Sequence, residues 1–187
     1  QEGLPISVGV TPHHLYLTEA DLPTLGSLGL MKPTLKTAAD RDALWQAIAD
    51  GIVDVVESDH APHTLAEKQA AAPPYGVPGL ETTLPLLCLA AAENRLTRNQ
   101  LIDLVALNAQ AIWGLHPDPE TYTLVDTAAS YVIERENLRS HCGWSPFEGM
   151  RVYGRVIGVW IRGVQVFDGE NILVEPDFGR DVARMMV

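Results

Sequence analysis

Val53-Asp54-Val55-Val56-Glu57-Ser58-Asp59-His60-Ala61-Pro62-His63-Thr64 is the stretch that decides the fold. Its valine-rich opening, with β-branched side chains on both pleat faces, suits a strand buried on both sides, the usual state of a parallel strand covered by helices. Pro62 stops regular pairing, because it has no N–H to give and pushes Ala61 toward an extended conformation. One carboxylate, Asp59, and two imidazoles, His60 and His63, are thereby set at the C-terminal mouth of a buried strand. In α/β barrels and open α/β sheets alike, that mouth is where chemistry is done. A carboxylate there can ligate a metal ion and can take a proton from water. His63 can point into the same cavity as a donor to an anionic substrate. The plain alternative is a strand-ending Asp bonded to loop amides beside two solvated histidines, and spacing alone does not separate the two.

Outward from this stretch, the pattern alternates strand and helix. Ile6 to Val10 reads as a short buried strand ended by Thr11-Pro12. His13 and His14 follow, and on an extended segment they point to opposite sides. Thr18 to Leu22 reads as one helical turn and Pro23 to Gly29 as a loop. Thr37 to Asp40 is close to a capping box, and Arg41 to Asp50 follows as a helix with Ala43, Leu44, Ala47 and Ile48 on one face. Gly51 can adopt the left-handed conformation that closes it. Strand, helix, strand is a βαβ unit, so the two strands are expected to be parallel.

Downstream, Thr64 to Gly79 is a Pro- and Ala-rich loop of the kind that covers a site. Leu80 to Asn94 reads as an apolar helix, with Pro85 tolerated in its first turns. Thr97 to Gln100 is a second capping box, opening a helix through Leu107, and Asn108 to Leu115 adds a short helix closed by Gly114. Composition shifts at His116-Pro117-Asp118-Pro119, a natural boundary. Beyond it lie the short β-rich segments Tyr122–Val125, Tyr131–Ile133, Val156–Ile161 and Val164–Phe167, the last two facing each other across Arg162-Gly163 as in a tight hairpin.

The chain has 24 acidic and 13 basic residues for a net charge of −11, with no Lys/Arg run. That balance argues against nucleic acid or an anionic membrane as partner. The longest apolar stretch, near Leu84 to Ala92, is far below transmembrane length. Cys88 and Cys142 stand far apart and make no disulfide framework, so a reduced cytoplasmic setting is the default. The sequence opens on Gln1 and is almost at once in a strand. A complete eight-stranded α/β barrel usually takes more than about 200 residues, so a C-terminal piece of a longer protein is expected.

The wording of several blocks is more specific than their spacing. Ser58-Asp59-His60-Ala61-Pro62-His63-Thr64, Glu67-Lys68 and Pro73-Pro74-Tyr75-Gly76-Val77-Pro78-Gly79-Leu80-Glu81-Thr82 resemble dihydroorotase, a zinc enzyme of the amidohydrolase superfamily. The resemblance continues through Thr11-Pro12-His13-His14-Leu15 and Ser145-Pro146-Phe147-Glu148-Gly149, and so covers nearly the whole chain. It implies an α/β fold: residues 1–115 as the C-terminal strand–helix units of a (β/α)8 metal-dependent hydrolase barrel, and 116–187 as part of a small β-rich domain. It also implies the chemistry, reversible closure of carbamoyl-aspartate to dihydroorotate, in which two metals, usually zinc, activate a bridging hydroxide. Asp59 matches the family's aspartate, both metal ligand and proton shuttle. His63 matches the histidine that binds the substrate carboxylate. Lys32 stands where many members carry a substrate-contacting Asn, with Lys36 in place of an Arg, and Tyr75-Gly76 fall where the family's loop touches the substrate ring. The family's remaining metal ligands lie upstream of this sequence, so His13 and His14 are expected to be structural. The implied partners are the small-molecule substrate, further copies of the same protein, or an aspartate carbamoyltransferase. Two other readings stay open: a sibling allantoinase or hydantoinase, and a non-catalytic dihydroorotase-like scaffold subunit.

Overall fold

The structure, a computed structural model, describes residues 5–181. Its most explicit start signal is Thr37. The Thr37 hydroxyl accepts from the Asp40 amide, and the Asp40 carboxylate takes the Thr37 amide and hydroxyl, so helix α3 (Ala38–Ala49) begins on a complete capping box. Gly51, at φ +69°, turns the chain out of α3. Strand β2 (Val55–Val56) follows and pairs in parallel with β1 (Gly9–Val10), Gly9 opposite Val55 and Val10 opposite Val56. The βαβ expectation therefore holds. The strands are shorter than the runs Ile6–Val10 and Val53–Ser58 that contain them. Ile6 is 75% exposed and Val8 40%, because no described strand lies along the outer edge of β1. The Asp54 carboxylate takes the Val8 amide at 2.7 Å and fixes the register where the ladder stops.

Two segments differ from the sequence expectation. Pro12–Tyr16 is helical (α1), not extended, with Thr11 as its N-cap and Pro12 at the first position, where a missing N–H costs nothing. The expected loop Pro23–Gly29 is instead a run of helical turns. Thr18 and Asp21 make a capping box, α2 (Leu22–Leu25) follows, and Gly26–Gly29 is a 3-10 turn. Leu22, Leu25 and Leu28 pack on the core, and this packing pulls the segment into register.

Within the loop after β2, Thr64 and Glu67 form another capping box and seed a single turn, α4 (Leu65–Lys68). Helix α5 (Thr83–Ala92) is buried almost all round. Thr97 and Gln100 cap α6 (Arg98–Ile102), which continues through a π-turn at Asp103–Leu107 into α7 (Asn108–Trp113), closed by left-handed Gly114. Then come β3 (Tyr122–Val132), β4 (Arg151–Ile161) and β5 (Val164–Phe167), an antiparallel sheet in that order. The two segments expected at Tyr122–Val125 and Tyr131–Ile133 belong to one strand, whose pairing is irregular between Asp126 and Ser130. Arg162 and Gly163 both take positive φ, as a two-residue hairpin requires.

The core has two clusters joined by α5. Leu87 and Cys88 face Val10, Leu15, Val53 and Val56; Leu86 faces Met31, Val77, Trp144 and Val152. Truncating a leucine that is fully buried, as Leu86 and Leu87 are, costs about 2–5 kcal/mol. The chain is thus mixed α/β, and none of the helices among the described residues is long and apolar enough to cross a membrane.

Candidate active site

Asp59 leaves β2 with φ +41°, one of three non-glycine residues with positive φ among those described. That region costs an L-residue of order 1–3 kcal/mol and is tolerated best by Asn and Asp, so the surroundings impose it. The turn carries the Asp59 carboxylate into an open cavity of about 450 Å³, together with Lys32, Lys36, His14 and Glu57. The site thus gathers two carboxylates, Asp59 and Glu57, and two lysines, Lys32 and Lys36, at the mouth of the parallel pair.

His13 backs this cavity. It is 1% exposed, and its Nε2 has no hydrogen-bond partner although Asp59 Oδ2 lies 3.8 Å away, beyond hydrogen-bond length. Burial, and secondarily the neighbouring His14, push its pKa down to about 3, so the ring is neutral at physiological pH. His14 is tied into structure: its Nε2 sits 2.9 Å from the Pro33 carbonyl and its Nδ1 2.7 Å from the Thr11 hydroxyl. A carbonyl only accepts, so in the neutral ring Nε2 carries the proton and Nδ1 takes the hydroxyl's.

His63, Tyr75 and Gly76 lie on the long loop and are not among the residues that line this cavity. The Lys32 ammonium lies 4.5 Å from the Tyr75 ring centroid and joins that loop to the cavity wall. His63 Nε2 lies 3.2 Å from the Tyr75 carbonyl, so Nε2 donates. Only an imidazolium then has a second N–H, on Nδ1, to offer an anion. Gly76 has φ +125°, and a Cβ there would come within 2.7 Å of the Ala61 side chain, so only glycine fits. Its amide is spent on the Leu30 carbonyl at 2.9 Å and its carbonyl on Lys68.

Three residues to which the sequence assigned no role shape this region. His60 Nδ1 accepts from the Gly79 and Leu80 amides at 3.2 and 3.3 Å and so stitches the loop's end to its start. Trp144 is fully buried and donates its indole N–H to the His63 carbonyl at 2.7 Å. Lys68 is fully buried and donates to three carbonyls. A buried polar side chain must find partners, but a lone Lys and Trp in the sequence do not say which.

As a metal site the set is incomplete. A catalytic zinc takes three protein ligands or more. Among the described residues no group of three His, Cys, Asp or Glu converges. Asp59, with unpartnered His13 Nε2 behind it, fits the corner of a metal shell and not a whole one.

No family model matches the chain. It is 40% identical over 180 residues to the multifunctional protein pyr1-3 of Dictyostelium discoideum, matching 96% of itself and 8% of that protein. It is 40% identical over 176 residues to the dihydroorotase of Halobacterium salinarum, 87% of itself and 40% of that enzyme. Among solved structures, the L-hydantoinase (dihydropyrimidinase) of Arthrobacter aurescens superposes with a TM-score of 0.88 at 25% identity, over 96% of this chain and 43% of the other. The inactive dihydroorotase-like domain of a CAD-like multifunctional protein from Chaetomium thermophilum gives 0.74 at 25% identity, over 95% and 48%. The chain spans less than half the length of each of these proteins. Across nearly all of its own length the chain is similar in sequence to dihydroorotases and in fold to a hydantoinase.

Proposed function

We propose that this chain is the C-terminal portion of a (β/α)8 metal-dependent barrel, residues 1–115, with part of a β-rich domain, 116–187, and that the protein carrying it is a dihydroorotase. The observation that carries this reading is Asp59, held at positive φ at the mouth of β2 and lining one cavity with Lys32 and Lys36. A base and two cations suit a substrate with an amide to open and carboxylates to hold.

In hydrolysis, Asp59 takes a proton from the attacking water and returns it to the departing ring nitrogen; in ring closure the same proton runs the other way and water leaves. Lys32 and His63 hold the substrate carboxylates, and Tyr75-Gly76 form the wall against its ring. A divalent metal, zinc in this reading, would supply Lewis acidity with Asp59 as one of its ligands, the others coming from outside the described residues. The match to multifunctional pyr1-3 supports association with other activities, an aspartate carbamoyltransferase or further copies being the partners of this reading.

A second reading, a hydantoinase-type cyclic amidohydrolase, is favoured by the TM-score of 0.88. Assaying the barrel-complete protein on dihydroorotate, hydantoin and allantoin separates them. Preference for dihydroorotate is expected; preference for either other ring overturns the assignment, and no turnover of any of the three favours a scaffold.

A further inference from the structure

Lys68 sits where no anion needs it. It is fully buried, no carboxylate lies within ion-pair distance of it among the described residues, and its ammonium spends all three protons on backbone carbonyls: Leu30 at 3.0 Å, Pro74 at 2.9 Å and Gly76 at 2.9 Å. An ammonium has three donors and no acceptor, so this set is complete. The indole of Trp144 lies beneath it, 5.6 Å from the nitrogen to the ring centroid.

The choice of carbonyls is what matters. Leu30 lies two residues before Lys32, and Pro74 and Gly76 flank Tyr75 on either side. The residue that carries Lys32 to the cavity and the loop that carries Tyr75 against it are therefore gripped by one nitrogen. The Gly76 amide donates to the same Leu30 carbonyl, so that oxygen takes two bonds from the same junction. The third limb is indirect: Trp144, in contact with Lys68, donates to the His63 carbonyl. We infer that Lys68 is a positioning residue, a cationic clamp that sets the separation of the Lys32 segment and the Tyr75–Gly76 loop and so fixes the substrate-facing geometry. The clamp itself rests on the contacts above; its effect on catalysis rests on the dihydroorotase reading.

A charge held without a counter-charge is retained for its donors. Burial pushes the Lys68 pKa below the ordinary lysine value, the cost of keeping those donors out of water. Methionine fills the same volume but leaves three buried carbonyls unmet, whereas arginine keeps the charge with a planar fork that cannot reach three converging oxygens.

The test is Lys68→Met and Lys68→Arg in the barrel-complete protein, with Leu87→Ala as a control that loosens the other core cluster. Amide hydrogen exchange is followed across residues 30–36 and 69–79, alongside kinetics on dihydroorotate. Both Lys68 variants are expected to exchange at least tenfold faster in those two segments, with α3 unchanged. KM is expected to rise about tenfold or more, with kcat falling less. Leu87→Ala is expected to lower thermal stability with KM unaltered. Unchanged exchange in both segments overturns the clamp, and so does a KM that stays at the wild-type value in an active enzyme. Absence of dihydroorotate turnover in the wild type sinks the substrate reading instead, and the exchange measurement then decides the clamp by itself.

Discussion

At the scale of single residues, Asp59 and His63 differ in what they are asked to do, and mutation should separate them. Asp59→Asn keeps the shape and the tolerance for positive φ but removes the base, so kcat in the barrel-complete protein should fall on the order of a hundredfold or more. His63→Ala removes an anion contact and should act on KM. It also frees the Tyr75 carbonyl, so some of the KM increase belongs to a loosened loop and should respond to viscosity and temperature. Steady-state kinetics on both variants checks this, and wild-type constants in both would mean that the site is misplaced. Tyr16 gives a pH prediction. Its hydroxyl donates to the Leu86 carbonyl at 2.6 Å, and burial raises its pKa well above the usual tyrosine value. The folded state then keeps a proton that the unfolded chain loses above about pH 10, so stability falls as pH rises past that point. Melts between pH 8 and 11 should show this loss in the wild type and a flatter profile in Tyr16→Phe, which itself costs about 1 kcal/mol for the lost hydrogen bond.

At the scale of elements, what the sequence announced locally, the structure delivers. The boxes at Thr37 and Thr97 each start a helix, Gly51 and Gly114 end theirs, and Arg162-Gly163 makes its hairpin. These signals are legible because donor, acceptor and backbone conformation lie within four residues of one another. The misses share the opposite character. The box at Thr64 is as regular as the others but lies in a stretch whose prolines and alanines read as loop and mask α4. Pro12 has the sequence signature of a strand's end, and it is the first residue of a helix. For the site, residue types gave Asp59 and His63, and resemblance gave Lys32, Tyr75 and Gly76. Lys68 and Trp144 were invisible as partners because their bonds run to carbonyls up to 81 residues away, and a carbonyl has no letter in the sequence. The Thr64 cap is itself testable. Thr64→Ala should cost about 1 kcal/mol in urea denaturation with an unchanged m-value, since it loosens one turn without altering the area buried.

At the scale of the whole molecule, no further strand among the described residues lies along either edge of the parallel pair β1–β2, and Ile6, Val8 and Ile52 beside it are exposed. Unpaired strand edges with apolar side chains template association. The 187 residues expressed by themselves are therefore expected to aggregate on warming and to retain zinc weakly, since no described cluster can hold it. Thermal scans by light scattering and metal analysis after dialysis check this; a reversible cooperative melt with two tightly held zinc ions would refute it.

The indole bond from Trp144 to the His63 carbonyl has one more consequence. It joins a residue beyond the compositional break at His116 to the loop that leaves β2, and the cluster around it mixes Met31, Leu35, Val77 and Leu86 with Ile133, Phe147 and Val152. The later segment is thus no passenger that can be exchanged freely among relatives. A chimera that takes residues 116–187 from a distant relative is expected to fold poorly and bind substrate weakly unless the donor also brings the loop from Thr64 to Gly79. Inherited together, the two pieces form one graft; separated, each arrives without the surface it was shaped against.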